Sequence, residues 1–210
     1  MTELRIDDFK SIIHQVKNII DHHREFLGEL DGVMGDGDLG FTMTKAFSAA
    51  EEEAVRSEEK IPGKLFFRLG MVIAKASPST MGTLIATGFM KGGKAIELFE
   101  RVGPEELTIF FEAFIKSIME RGKTVPGNKT IVDSLLPAAQ ALRLAVNEPL
   151  VTGITFAREA ALKGLSDSTM MKAQHGRAAY YQENSIGKQD GGATVGTYII
   201  EGFYQYIAKA

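Results

Sequence analysis

The chain of 210 residues contains no cysteine, so disulfides, thiolate metal sites and thiol catalysis are excluded. It also has no excess of basic residues, because 24 lysines and arginines stand against 27 acidic residues, giving a formal net charge of -3. Nucleic acids and anionic membranes call for a basic surface, so neither is expected as a partner. The N-terminus has no apolar signal core, and no segment has 18 uninterrupted apolar residues. We therefore expect a cytoplasmic protein with a single domain over residues 1–210.

Sustained alternation of apolar and polar residues is also missing, whereas nearly every long segment carries apolar residues at helical spacing. The pattern predicts eight helices, roughly over residues 7–27, 41–58, 65–75, 80–99, 104–121, 129–146, 151–163 and 193–207. The polar stretch 166–190 has weaker periodicity. Helices of two to five turns joined by short loops predict an all-α antiparallel bundle.

A glycine-rich acidic stretch, residues 30–43, follows the first predicted helix. Asp31, Asp36 and Asp38 lie within eight positions of the chain, and such carboxylates repel one another unless a cation lies between them. Oxygen ligands of this kind suit a hard divalent ion, magnesium or calcium, rather than zinc. The glycines allow a close approach of the backbone to a ligand, and a helix N-terminus favours anions. The stretch therefore predicts a metal site next to an anion site.

Three familiar motifs match this chain in spacing but not in context. Residues 35–40 spell G-x-G-x-x-G, yet polar helical sequence precedes them instead of the buried strand that dinucleotide binding requires. An EF-hand loop closes with Glu at its twelfth position, where this chain has Phe47 or Thr42, depending on the starting aspartate. Residues 88–94 imitate a P-loop, but no strand precedes them and Ala95 stands in place of Ser or Thr.

The aspartate stretch resembles the signature of the dihydroxyacetone kinase L subunit, the nucleotide-binding subunit of that kinase family. The matching residues are Asp31-x-x-x-Gly35-Asp36-x-Asp38-x-Gly40-x-x-Met43, then Arg121-Gly122-Lys123-x-x-Pro126-Gly127-x-Lys129-Thr130, and finally Gly176-Arg177-Ala178 with Ser185-Ile186-Gly187-x-Gln189-Asp190-x-Gly192-Ala193. The matched blocks extend over nearly the whole chain. The resemblance implies an eight-helix up-and-down barrel with the nucleotide at one end, where alternate loops gather.

The resemblance also implies site residues. Two Mg²⁺ ions, held by Asp31, Asp36 and Asp38, would bridge the phosphates of ADP or ATP. The nucleotide contacts implied are Leu39, Gly40, Phe41, Thr42, Ala76, Ser77, Gly122, Ile131, Arg177, Asp190, Gly191 and Gly192. Within this set Ala76 and Ser77 face the phosphates, Gly122 and Ile131 lie at the base or ribose, and Arg177 can pair with phosphate oxygens in a bidentate fork. No catalytic residue is assigned.

Plainer interpretations remain open at several of these positions. Ser77 followed by Pro78 is also typical of an ordinary helix break. Asp190 is also a typical helix N-cap, a role compatible with nucleotide contact. The role of Asp133 is open.

The resemblance implies a phosphotransferase that is active only with a ketose-binding K subunit, and that delivers a phosphoryl group to dihydroxyacetone or a related short ketose. Two modes occur in the family: a bound ADP is recharged by a phosphotransferase-system protein, or ATP binds and exchanges. Leu39 stands where the family has His, and Thr42 where it has Asn. These departures leave the mode, the partner and the ketose open, a tetrulose included.

A non-catalytic ADP-binding sensor is the alternative function, and the nucleotide domain of a fatty-acid kinase is a third. The sequence does not determine the acceptor sugar, a general base or the oligomeric state, for which a homodimer is one option.

Overall fold

The computed structural model describes residues 2–209. Over this range the chain forms nine α-helices and one 3₁₀ helix, and its extended structure is limited to a backbone bridge between Leu4 and Val102. The elements are α1 Ile6–His22, α2 Arg24–Gly32, α3 Leu39–Arg56, α4 Pro62–Ala76, α5 Thr80–Ala95, α6 Pro104–Gly122, α7 Val132–Leu144, α8 Leu150–Ser168, the 3₁₀ helix Arg177–Ser185 and α9 Gly191–Ile207. None of the helices within residues 2–209 is both long and apolar enough to span a bilayer.

Eight of the helices pack side by side in a closed ring. Each of α1, α3, α4, α5, α6, α7, α8 and α9 contacts the next in this order, and α9 packs back against α1. The short helix α2 lies in the connection between α1 and α3. Most of the connections are short, and the long connection between α8 and α9 returns to its starting point, so neighbouring helices run in opposite directions. The predicted all-α up-and-down barrel is therefore confirmed.

Phenylalanine rings from α1, α4, α5, α6 and α9 fill the interior of the ring. The ring centroid of Phe66 in α4 lies 4.4 Å from that of Phe110 in α6, with the ring planes tilted by 33°. Phe66 also meets Phe9 of α1 edge-on, with 5.0 Å between the centroids. All three side chains are at most 1% exposed. Aromatic pairs of this kind contribute about 0.5–1.5 kcal/mol each beyond the area that they bury. The periodic apolar faces of the sequence thus meet in one core.

Several helix boundaries differ from the predicted ones. The first predicted helix is broken at His23, and α2 continues the chain to Gly32. Helix α7 begins at Val132 instead of 129, because Lys129 has a left-handed backbone with φ of 60°. Helix α8 runs to Ser168, five residues beyond the predicted end at 163. Helix α5 ends at Ala95, four residues before the predicted end.

The direction of the helices divides the connections between two ends of the ring. We call the end formed by residues 33–38, 77–79, 123–131 and 169–190 the aspartate end. At the opposite end the start of α1 meets the end of α9, where the Tyr206 hydroxyl donates to Asp8 Oδ1 at 2.5 Å. The bridge between Leu4 and Val102 lies at that opposite end too, with N–H···O distances of 2.8 and 2.9 Å.

Candidate metal and nucleotide site

The three aspartates converge at the aspartate end. Asp31 lies in the last turn of α2, Asp36 in the following loop, and Asp38 directly before α3. Each offers a carboxylate oxygen, and these oxygens lie within 4.8 Å of one another. Asp31 Oδ2 accepts the backbone N–H of Asp38 at 3.1 Å, which closes the loop. A Cβ on Gly35 would lie 2.2 Å from Asp31 Oδ1, so only glycine fits beside this carboxylate.

The electrostatics of this cluster favour a cation. Two like charges at such a separation repel by about 1 kcal/mol in water, and by several times more where solvent is partly excluded. Burial raises the pKa of Asp31 above its ordinary value; backbone N–H groups lower it, while the charge of Asp36 raises it further. Three converging carboxylates are a ligand set that a hard divalent ion accepts. The residues present therefore fit Mg²⁺.

Arg177 reaches the same cluster from a distant part of the chain. Its Nη2 lies 2.7 Å from Asp36 Oδ2, although its side chain is 64% exposed. It is the first residue of the 3₁₀ helix, and Gly176 before it has a φ of 61°. A guanidinium at this place can pair with the oxygens of a phosphate group that also faces the aspartates.

Ser77 provides a second sign of a ligand. Helix α4 ends at Ala76, and the Ser77 hydroxyl is buried without a hydrogen-bond partner among residues 2–209. The next helix begins with an ordinary cap, because Ser79 Oγ accepts the N–H of Gly82 at 3.0 Å. Buried hydroxyls without a partner are uncommon in proteins, since each costs about 1–3 kcal/mol. The break at Pro78 is therefore a helix end with an unsatisfied donor and acceptor beside it.

Asp190 caps α9. Its Oδ2 accepts the N–H of Ala193 at 2.7 Å, as the N-cap interpretation predicts. The carboxylate is enclosed, and burial raises its pKa from 3.8 to about 6; the N–H of Ala193 and the charge of Lys129 lower it, and Asp133 raises it. The terminus of α9 thus holds the carboxylate in place, and the positive charge of Lys129 favours its ionised form from a greater distance.

Two glycines of α9 allow the connections of the aspartate end to come together. A Cβ on Gly191 would lie 2.6 Å from the side chain of Leu39, at the start of α3. A Cβ on Gly192 would lie 3.0 Å from both the backbone nitrogen of Ile131 and the side chain of Met81. The starts of α3, α5, α7 and α9 therefore meet around this pair of glycines.

Four further residues that were predicted to contact the nucleotide differ from one another in burial and in packing. Gly40 packs against α2, where a Cβ would lie 2.0 Å from the carbonyl oxygen of Arg24. Phe41 is 52% exposed, and the ammonium of Lys45 lies 4.8 Å from its ring centroid. Thr42 is nearly buried, and Ile131 is 1% exposed within the core.

Ala76 and Gly122 complete the predicted set. Both are partly exposed at the aspartate end, and a Cβ on Gly122 would lie 3.3 Å from the side chain of Leu84. The roles of the predicted residues toward metal and nucleotide stay predictions.

Two residues to which the sequence assigned no role shape the loop 123–131. Asp133 accepts the N–H of Gly127 at 2.6 Å with Oδ1 and that of Thr130 at 2.7 Å with Oδ2. Lys129 is 3% exposed and donates to backbone carbonyls of residues 168, 169 and 188. The sequence offered one sign of these contacts: Lys129 stands directly before the apolar face of a helix and four positions before Asp133.

Comparison with known proteins identifies the family of the chain. The model of the DAK2 domain matches residues 33–205. The chain is 31% identical over 179 residues to the PEP-dependent dihydroxyacetone kinase, ADP-binding subunit DhaL, of Escherichia coli, covering 84% of this chain and 85% of that one. It is 33% identical over 174 residues to the ADP-binding subunit DhaL of PEP-dependent dihydroxyacetone kinase 1 of Listeria innocua, covering 83% of each.

Solved structures show the same fold. The dihydroxyacetone kinase of C. freundii, in its native form and in complex with AMP-PNP and Mg²⁺, superposes with a TM-score of 0.73 at 22% identity. The superposition covers 93% of this chain but only 34% and 33% of those chains, so this chain spans about a third of their length. With the DAK2 model matching residues 33–205 and two DhaL subunits above 30% identity, the predicted resemblance is confirmed, and the chain belongs to the DAK2 domain family.

Proposed function

We propose that this chain is the nucleotide-binding subunit of a dihydroxyacetone-type kinase. With two Mg²⁺ ions it binds ADP or ATP at the aspartate end, and it delivers a phosphoryl group to dihydroxyacetone or a related short ketose held by a separate K subunit. The observation that carries the proposal is the convergence of three aspartates with Arg177, 2.7 Å from Asp36. The E. coli and Listeria relatives, which are named ADP-binding subunits of dihydroxyacetone kinases, support it.

Three kinds of group in the chain would bind a diphosphate: the aspartates through the metal, Arg177 directly, and the helix N-termini through their partial positive charge. Asp31, Asp36 and Asp38 would hold the metal, which when bound supplies positive charge against the phosphate oxygens. Arg177, which lies beside Asp36, would add a positive charge and a bidentate hydrogen-bond geometry for the phosphate oxygens. Helices α3, α5, α7 and α9 all begin at the aspartate end, so the partial positive charges of four N-termini face the same region. Preorganised charge of this kind is the main contribution of a protein to phosphoryl transfer.

The mode in which a bound ADP is recharged has the better support. The two DhaL relatives above 30% identity are named PEP-dependent, and a Lactococcus lactis DhaL at 27% is named PTS-dependent. Erythrulose kinases share 26–29% identity with this chain. We therefore propose a phosphotransferase-system protein as the phosphoryl donor and dihydroxyacetone as the first acceptor to test, with a tetrulose as the second.

One observation favours a second candidate function, a non-catalytic ADP sensor. Leu39, which replaces the histidine of the family pattern, is only 7% exposed and packs beside Gly191. A leucine side chain has no polar atom for a phosphate oxygen. An ADP that is bound but not recharged would give the chain a signalling role instead of a catalytic one.

The proposed function is tested with purified full-length chain. Titration calorimetry is expected to show one ADP per chain in the presence of Mg²⁺, and loss of this binding in a chelator. Addition of a K subunit, dihydroxyacetone or erythrulose, and either ATP or a phosphorylated donor protein is expected to yield sugar phosphate, measured by phosphorus NMR. ADP binding that a chelator leaves unchanged would contradict the metal site. ADP binding without sugar phosphate under any of these conditions would favour the sensor.

Replacement of Ser77 by alanine is expected to separate stability from ligand binding. The hydroxyl is buried and unsatisfied in the free chain, so its removal is expected to leave the free energy of unfolding unchanged or to raise it by up to about 1 kcal/mol. If this hydroxyl bonds a charged phosphate, the Kd for ADP is expected to rise by about tenfold or more. Thermal unfolding of the free chain and calorimetry with Mg²⁺ measure the two effects.

The matched control is Ser117, a buried serine whose hydroxyl donates to the carbonyl of Phe114 at 2.8 Å. Ser117→Ala is expected to lower the free energy of unfolding by about 1 kcal/mol and to leave the Kd unchanged. The opposite pattern, a destabilised Ser77→Ala chain with normal ADP affinity, would show that this hydroxyl faces no ligand.

A further inference from the structure

The segment that carries Arg177 is a loop with a closed neck. We call residues 169–188 the Arg177 loop; it leaves the end of α8 and returns shortly before α9. At its neck the N–H of Gly187 donates to the carbonyl of Thr169 at 2.7 Å. Inside it, Ser185 Oγ accepts the N–H of Ala173 at 2.9 Å. The position of Arg177 therefore depends on how firmly this neck is held.

The ammonium of Lys129 occupies the neck. It donates to the carbonyl oxygens of Ser168 at 2.8 Å, of Thr169 at 3.2 Å and of Lys188 at 2.6 Å. A lysine ammonium has three N–H donors and no acceptor, so these three bonds use its full capacity. Thr169 and Lys188 are the first and last residues of the loop, and one buried cation thus joins both ends.

The backbone around Lys129 is arranged to aim its side chain inward. The backbone of Lys129 has a φ of 60°, which lies in the left-handed region that residues other than glycine rarely adopt. Asp133 fixes the backbone on both sides of it by accepting the N–H groups of Gly127 and Thr130. Sparsely populated conformations of this kind persist where the surrounding structure determines them, and they are frequent at functional sites.

The neighbour of Lys129 also binds the loop. The backbone carbonyl of Asn128 accepts the N–H of Gln174 at 3.2 Å. The side-chain Oδ1 of Asn128 lies 3.2 Å from Nε2 of His175. His175 is two positions before Arg177. Residues 128 and 129 thus hold the neck and the first half of the Arg177 loop, while Arg177 itself reaches Asp36 at 2.7 Å.

We propose that Lys129 is a positioning residue of the nucleotide site, which acts through the Arg177 loop to hold the guanidinium of Arg177 opposite the three aspartates. This role rests on the proposed function. In this role Lys129 does not contact the nucleotide, because its ammonium donates all three N–H groups to backbone carbonyls. It affects nucleotide binding only by fixing the position of Arg177.

The first test replaces Lys129 by methionine, which keeps an unbranched side chain and removes the three donors. The Kd for ADP with Mg²⁺ is expected to rise by about tenfold or more, as truncation of a buried charged partner does at other interfaces. Amide hydrogen exchange of Gly187 and Ala173, the donors that close the loop, is expected to accelerate by about tenfold or more. Amides in the core of α6 are expected to keep their protection.

The matched control is Lys163→Met, which removes the same charge from the exposed face of α8, where Lys163 pairs with Asp167. It is expected to change neither the Kd nor the exchange of Gly187. Unchanged exchange of Gly187 in Lys129→Met would overturn the proposal, whether or not the chain binds nucleotide. Failure of the unsubstituted chain to bind ADP with Mg²⁺ would instead contradict the proposed function.

A double-mutant cycle separates positioning from a general structural role. If Lys129 acts through Arg177, then Lys129→Met is expected to change the Kd by less than about twofold in a chain that already carries Arg177→Met. Effects that multiply in the double variant would overturn the proposal.

If Lys129→Met does not fold, Lys129→Arg carries the test. It keeps the charge, but a planar guanidinium does not converge on three carbonyls as an ammonium does. Faster exchange of Gly187 together with a raised Kd is expected, and faster exchange at unchanged Kd would overturn the proposal.

Discussion

Replacement of Asp31 by asparagine is expected to weaken Mg²⁺-dependent ADP binding by about 100-fold or more. Changes in the groups that merely support metal ligands cost about 10–100-fold, so loss of a ligand itself is expected to cost at least the upper value. The asparagine oxygen can still accept the N–H of Asp38, which Asp31 Oδ2 does at 3.1 Å, so the loop is expected to keep its shape. Calorimetric titrations with ADP at several Mg²⁺ concentrations measure the loss, and higher Mg²⁺ is expected to recover part of it.

Asp167→Asn is the matched control, because Asp167 is an exposed aspartate on α8 that pairs with Lys163. It removes one negative charge from the same chain and is expected to leave the Kd unchanged. An Asp31→Asn chain with the normal Kd would show that the three carboxylates hold no metal that nucleotide binding needs. Thermal unfolding without Mg²⁺ checks that both variants are folded.

Replacement of Gly164 by alanine is expected to lower the free energy of unfolding by about 2–3 kcal/mol. A Cβ at this position of α8 would lie 2.1 Å from the carbonyl oxygen of Asp133 and 3.2 Å from the Cα of Ser134. Both are backbone atoms, so α7 and α8 have to move apart. For a chain of this size the change corresponds to a fall in Tm of about 4–12 °C, measured by circular dichroism or calorimetry.

Gly153, on the same helix, provides the control. A Cβ there would lie 3.6 Å from the side chain of Leu142, which is an ordinary contact. Alanine is a better helix former than glycine by about 1 kcal/mol, so Gly153→Ala is expected to keep or raise the Tm. An equal loss at the two positions would show that the close approach of α7 and α8 is not what Gly164 provides.

The helices follow from the sequence wherever local signals suffice. Helix α6 starts at Pro104, as predicted, because proline and the following acids are compatible with a first turn, and Glu106 accepts the N–H of Gly103 at 2.9 Å. Its buried residues Phe110, Phe114 and Ile118 recur at helical spacing. Capping and periodicity operate within a few residues and are therefore visible in one sequence.

Boundaries set by tertiary contacts were not predictable in this way. His23 interrupts the first predicted helix where its ring stacks on Tyr198 of α9, with 4.7 Å between centroids. Gly164 remains helical because α7 packs against it, and Lys129 leaves the helical region because its ammonium binds carbonyls 39 to 59 positions away. None of these partners is near in sequence.

In the candidate site, too, some features were predictable from local sequence and others depend on tertiary contacts. The spacing of Asp31, Asp36 and Asp38 places them in one helix connection, but their approach to within 4.8 Å depends on the hydrogen bond from the N–H of Asp38 to Asp31 Oδ2 that closes the loop. The approach of Arg177 to Asp36 depends on the course of the whole ring, and only the family resemblance indicated it. Neither the spacing of residues nor the family resemblance predicted the contacts of Lys129. Its partners are backbone carbonyls, which every residue has, so no residue type in the sequence indicates them.

The contact between Tyr206 and Asp8 has a consequence for chain connectivity. Because the last helix of the ring lies beside the first at the end opposite the aspartates, the order of the helices is cyclic. A short linker between the two termini and a new opening in the connection 145–149, where Asn147 and Glu148 are exposed, would give a circular permutant with all four loops of the aspartate end intact. A domain fused at either terminus would likewise lie at the end of the ring opposite the three aspartates.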